Sequence, residues 1–129
     1  MNDTKPIIFV VEDDPAVRNS LKFALELEGY RVQLCANGEA LLKHIELPHS
    51  QCLVIDLKLP GMDGLQLLAE LRRRKIQAPA VLITSHPSRD VVTRAARGGI
   101  PIVEKPLLGN ILSDSIRQAI DAASPPAQV

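Results

Sequence analysis

The sequence predicts a single α/β domain, a doubly wound five-stranded parallel sheet with helices on both faces, and three observations predict it. Apolar runs at residues 7–11, 53–55 and 80–83 hold no polar side chain and have strand length, which is how strands covered on both faces read. Stretches with helical spacing separate them, the alternation expected of a parallel sheet. Each run then stops at a polar residue followed by turn chemistry, and ligands of such sheets sit outside the carboxyl ends of the strands.

The first run ends in Glu12-Asp13-Asp14. Asp14 followed by Pro15 is a cap and a first helical position, and Val17, Leu21, Ala24 and Leu25 continue a helix over residues 15–28 to Gly29. Residues 30–35 alternate like an edge strand with one wet side, and Asn37-Gly38 leads into a short helix from Glu39 that Pro48 should end. The central run ends on one carboxylate, Asp56. Pro60-Gly61 and Asp63-Gly64 then mark a tight loop before a helix carrying Leu65, Leu67, Leu68 and Leu71 on one face. Arg72, Arg73, Arg74 and Lys75 fall at the end of that helix, where cations complement its dipole. This explains them without a nucleic-acid ligand, since no aromatic interleaves them.

The fourth strand, residues 80–84, ends in Thr84, and Ser85-His86-Pro87-Ser88 precedes a helix with Val91, Val92, Ala95 and Ala96 on one side, closed by Gly98-Gly99. A short fifth strand over residues 100–103 reaches Glu104-Lys105-Pro106, and Ile111, Leu112, Ile116 and Ile120 build a last helix. Ser124-Pro125-Pro126 should end the ordered structure. This places a domain at residues 1–122 and a tail or linker stub at 123–129.

With 129 residues, 46% hydrophobic content and 15 basic against 15 acidic side chains, the chain can bury a core and carries no net field toward nucleic acid or an anionic membrane. No apolar run approaches the ~18 residues of a membrane span, and the start is polar, so a cytoplasmic protein is expected. Cys35 and Cys52 lie inside apolar stretches without metal-ligand spacing and read as small buried hydrophobes. His44 and His49 read as surface residues.

Four strand tips therefore converge at one pole: Glu12 and Asp13, Asp56, Thr84, and Lys105. Three neighbouring carboxylates repel unless a cation joins them, and an all-oxygen set suits Mg2+. A lysine and a hydroxyl facing the same point suit an anionic ligand, and a phosphoryl group fits both these partners and the metal.

An acidic pair after strand one, a lone Asp56 with Pro60-Gly61 and Gly64 behind it, Thr84 after strand four and Lys105-Pro106 after strand five resemble the response regulator receiver domains of bacterial two-component systems, over residues 6–122. The resemblance implies the flavodoxin-like strand order 2-1-3-4-5 that the chemotaxis receiver exemplifies. It implies that Asp56 is the nucleophile, taking a phosphoryl group from a sensor histidine kinase or phosphotransfer protein. Asp13, Asp56 and the Lys58 carbonyl would bind Mg2+ directly and Glu12 through water. Lys105 would neutralise charge, and Thr84 would act as a switch that biases a protein-contact face read by a downstream regulator. Lys58 and His86 would tune the lifetime of the acyl phosphate.

Several positions depart from the family pattern. Glu12 stands where Asp is common, and Leu107 where Phe is common. Ile102 stands where an aromatic usually relays the movement of the threonine. Pro101 beside it cannot donate to a ladder, and the connection is a residue short. Ile100 and Ile102 could instead form a homodimer surface.

A haloacid-dehalogenase-type phosphatase would need an acid where Lys58 stands, and a flavin binder would need a hydroxyl- and Gly-rich loop where Glu12 and Asp13 stand. We therefore expect a self-phosphorylating receiver that is not an enzyme in the usual sense and stands alone. The alternatives are the receiver part of a longer DNA-binding regulator or a binding domain independent of phosphorylation.

Overall fold

A computed structural model describes residues 7–107 and 109–123. The polar start and the Ser124-Pro125-Pro126 tail lie outside them. Five parallel strands, β1 (Ile7–Val11), β2 (Arg31–Cys35), β3 (Ser50–Asp56), β4 (Ala80–Thr84) and β5 (Ile102–Glu104), line up in the order β2-β1-β3-β4-β5. The helices are α1 (Pro15–Leu27), α2 (Gly38–Leu42), α3 (Gly64–Arg73), α4 (Arg89–Arg97) and α5 (Ile111–Ala123).

Because side chains alternate along a strand, each apolar run feeds two cores. Phe9, Val11, Leu53, Ile55 and Leu82 pack under Leu67, Leu68 and Leu71 of α3 and Leu41 of α2, with Val91 of α4 against the same face. Ile8, Val10, Val54, Val81, Ile83 and Val103 pack under Leu21 and Leu25 of α1 and Leu112 and Ile116 of α5. β1, β4 and all but the first two residues of β3 are buried on both faces, hence the apolar runs at 7–11, 52–55 and 80–83. β2 is an edge strand, as expected, but its burial does not alternate with one wet side: Val32 and Cys35 are buried and Arg31, Gln33 and Leu34 half-buried.

The helix starts follow from side chains that satisfy the first orphan N–H groups. Asp14 accepts from the backbone of Ala16 and Val17, Asn37 from Ala40, and Ser88 from Val91. Asp63 and Gln66 form a reciprocal capping box. Gly29 follows α1 at φ +97°, in the region where a side chain is strained.

Two expected elements differ. The second helix stops at Leu42, well short of Pro48, which instead lies in a 3-10 turn, Leu47–His49. The cause is tertiary. His44 is half-buried, not a surface residue. Its ring meets that of Phe9 edge-on with centroids 4.8 Å apart, and its Nδ1 accepts from the backbone of Glu46, which competes with a further helical turn. His49 is exposed. β5 begins at Ile102, not at residue 100, because the Ile100 N–H is spent on the Ala95 carbonyl that closes α4 and Pro101 has none to give. The Pro101 carbonyl still accepts from Leu82, so the ladder starts there.

Cys35 and Cys52 are buried, and burial pushes their thiols up to about 11 and about 12, so neither is a nucleophile at neutral pH. The basic cluster is largely committed. Arg72 donates to the Ile76 carbonyl, while Arg73 and Arg74 both bind Glu70. No described helix is long and apolar enough to cross a membrane.

Hydrogen bonds from Arg73 and Arg74 hold the Glu70 carboxyl down at about 2. A carboxylate lowered by folding adds stability above its unfolded range and loses it as pH falls through the folded value. Glu70→Gln should therefore lower the urea midpoint at pH 7, with the gap to the native protein shrinking steadily below pH ~5. A gap equally wide at pH 7 and pH 3 would show that the pairs contribute through packing and not through charge.

Candidate functional site

The ladder sets the strand tips level. Asp56 pairs with Ile83 across β3 and β4, and Thr84 pairs with Glu104 across β4 and β5. The residue after β1, Glu12, is tied to β2 through its N–H on the Cys35 carbonyl. Glu12, Asp56 and Thr84 are 1%, 4% and 1% exposed, so the sheet carries two carboxylates and a hydroxyl into a nearly dry pole.

Lys105, the first residue beyond β5, joins the two acids. Its Nζ lies 2.9 Å from Asp56 Oδ2 and 3.0 Å from Glu12 Oε1. Burial works against the ammonium, but the bonds from Asp56 and Glu12 outweigh it and hold Lys105 above the ordinary lysine value. For Glu12 the balance is the opposite: burial pushes its carboxyl up, and the bonds from the Asp14 backbone and Lys105 recover only part. The other oxygens are met by backbone. Asp56 Oδ1 accepts from the Lys58 N–H at 3.2 Å and Glu12 Oε2 from the Asp14 N–H at 3.1 Å.

Asp13 is exposed, and its carboxylate completes a set in which one oxygen each from Glu12, Asp13 and Asp56 lie within 4.8 Å of one another. Hard oxygen donors, no His or Cys, and one acid open to solvent fit a Mg2+ ion that keeps water in its shell. Thr84 donates to the Ser85 carbonyl at 3.2 Å.

The sequence-predicted residues thus sort into groups. Glu12, Asp56 and Lys105 meet directly, the Asp13 carboxylate lies within 4.8 Å of both acids, and Thr84 shares their pole. Lys58 and His86 are exposed on the loops after β3 and β4, with His86 in the left-handed region at φ 48°. Ile100 and Ile102 are half-buried and packed toward the α3 side of the core.

Two residues take a part in the site that the sequence reading did not assign to them. Gly64, read there as a turn residue, opens α3 against the backbone of the acidic tip. A Cβ on it would lie 2.6 Å from the Asp56 carbonyl and 3.0 Å from Leu57 Cα, so any side chain would push the helix away. Arg18 reaches back from α1 to the carbonyls of Glu12 and Asp13. Its position four residues beyond the Asp14 cap was the one available signal, and helical spacing alone gives it no target.

The chain is similar to known proteins over most of its length. A family profile described as response regulator receiver domain matches residues 8–117. The transcriptional regulatory protein FixJ of Bradyrhizobium diazoefficiens is 32% identical over 126 residues, covering 97% of this chain and 62% of that protein. The transcriptional regulatory protein AfsQ1 of Streptomyces coelicolor is 34% identical over 116 residues, covering 89% of this chain and 51% of that protein. The chain therefore spans between half and two thirds of the length of these relatives. Among solved structures, FixJ-N superposes with TM-score 0.81 at 30% identity, covering 98% of this chain and 100% of that one. The response regulator StyR gives 0.83 at 33% identity, covering 92% and 61%.

Lys105→Met leaves two buried carboxylates without their cation. In the absence of divalent ions it should cost about 3 kcal/mol in urea unfolding, the low end for breaking a buried pair because the lysine is partly exposed. In a Glu12→Gln, Asp56→Asn background, where both buried acids are neutral, most of that loss should vanish, whereas an equal loss in both backgrounds would mean that Lys105 acts through packing.

Proposed function

Because the chain belongs to the response regulator receiver domain family, the phosphoacceptor modules of two-component signalling, we propose that Asp56 is its phosphoacceptor, served by Mg2+ and Lys105. The single observation that carries this reading is the convergence of Asp56 with Glu12, Asp13 and Lys105 at the strand tips. An Asp56 oxygen attacks the phosphorus of a phosphohistidine on a sensor kinase or phosphotransfer protein. An O–P bond forms while the P–N bond breaks, its electron pair leaving on the imidazole.

Asp13, Asp56 and the Lys58 carbonyl would hold the ion, with Glu12 acting through water. When bound, Mg2+ neutralises charge on the acceptor and on the phosphoryl oxygens. Lys105 supplies the protein's own positive charge, aimed by its ion pairs before the phosphoryl group arrives. The backbone N–H of Lys58 fixes the Asp56 carboxylate in rotation. Turnover ends with the acyl phosphate and its hydrolysis, so the chain is a self-catalysed switch and not a multiple-turnover enzyme. Lys58 and His86, exposed beside the site, shape the path of the hydrolytic water. A kinase-fed switch of this kind works in the cytoplasm and passes its state to a downstream regulator or an effector domain.

Thr84 would convey the modification by turning its hydroxyl from the Ser85 carbonyl to a phosphoryl oxygen. Ile102, half-buried in β5, has no ring to swing in response. Phosphorylation should accordingly shift the amide signals of Asp56, Thr84 and their loops while leaving residues 100–103 nearly unmoved. Large shifts across residues 100–103 would contradict this route.

Intact mass after mixing the protein with a small phosphodonor and Mg2+ tests the acceptor itself. The expected result is a gain of one phosphoryl group, lost with Asp56→Asn and with a chelator. No gain from either a small donor or a histidine kinase would make this a receiver fold kept for binding alone.

A further inference from the structure

Glu12 and Asp13 lie between the end of β1 and the start of α1, so their backbone carbonyls belong to neither a ladder nor a helix. One side chain supplies what both lack. Arg18 Nη1 donates to the Glu12 carbonyl at 3.0 Å and to the Asp13 carbonyl at 3.3 Å, and that nitrogen carries two hydrogens, one for each. Arg18 is itself fixed, since its backbone N–H closes on the Asp14 carbonyl in the turn that Asp14 caps. Arg18 is half-buried, and its guanidinium spans the two peptides whose side chains are two of the three acids at the site.

We propose that Arg18 is a positioning residue for the metal-binding acids, holding the Glu12–Asp13 peptide so that the exposed Asp13 carboxylate already faces those of Glu12 and Asp56. This rests on the assignment of Mg2+ to that cluster. Mg2+ tolerates little departure from octahedral geometry, so a ligand that must first be ordered binds it more weakly, and supporting groups behind the ligands commonly matter by 10–100-fold. Asp13 has the most freedom to lose. Glu12 and Asp56 are buried and tied to Lys105, whereas Asp13 is held in place through its backbone.

Charge and position act on the ion in opposite directions here. A guanidinium near the site repels a divalent cation, so if Arg18 acted by charge alone its removal would tighten Mg2+ binding. If it acts by position, removal loosens binding.

The experiment is a Mg2+ titration followed by amide spectra for the native protein, Arg18→Met and Arg18→Lys, with thermal midpoints recorded for each. We expect Mg2+ affinity to fall about tenfold in Arg18→Met, the lower end of such supporting contacts. Arg18→Lys, which keeps the charge and loses the fork, should lie in between. If the Met variant does not fold, weakening in Arg18→Lys carries the test. Labelling by a small phosphodonor should be slow at low Mg2+ in the variants and recover once Mg2+ is saturating. Unchanged or tighter Mg2+ binding in a folded variant overturns the proposal, as does a labelling defect that saturating Mg2+ leaves in place. Failure of the native protein to bind Mg2+ overturns both the metal assignment and the role of Arg18.

Discussion

One ammonium group held between two buried carboxylates is the interaction on which the rest depends. Asp56 and Glu12 are 4% and 1% exposed, and without a shared cation two charges that close would protonate or push the strand tips apart. Lys105 meets both at hydrogen-bonding distance, and backbone N–H groups from Lys58 and Asp14 take the remaining oxygens. The charges come from β1, β3 and β5, so the bonds that steady the site also tie the centre of the sheet to one of its edges. Fold and site share one electrostatic solution.

The two-sided core makes that solution rigid. Each apolar strand is pinned from above by α3 and from below by α1 and α5, leaving the tips little room to drift. Gly64 lets α3 approach the backbone of Asp56 where any side chain would collide. Asp13 is the exception, open to water and held through its carbonyl. Three charges fixed and one adjustable suit the ion and the phosphoryl group proposed for this site.

Most of this was legible in the sequence, for a local reason. A strand buried on both faces leaves an uninterrupted apolar run, so the switch to Glu12, Asp56 and Thr84 stands out, and the Asp14-Pro15 and Asp63-Gly64 pairs announce the helices that follow. What failed depended on how single side chains and N–H groups were spent, which a pattern of residue types does not show. His44 stops α2 by packing on Phe9, and the start of β5 depends on the Ile100 N–H being spent on α4. The strand tips already put Lys105 at one pole with Glu12 and Asp56, and the fold closes the two ion pairs across 93 and 49 residues. Arg18 looked like any solvent-facing helix residue, because its acceptors are main-chain carbonyls that carry no sequence mark.

The most direct measurement is a nuclear magnetic resonance titration of the Lys105 ammonium in the native protein and in a Glu12→Gln, Asp56→Asn double variant. The ion pairs described here place the native group above 10.5 and return it to or below that value once both acids are neutral. A lysine that titrates alike in the two proteins, at or below 10.5, would contradict the shared charge at the centre of this structure.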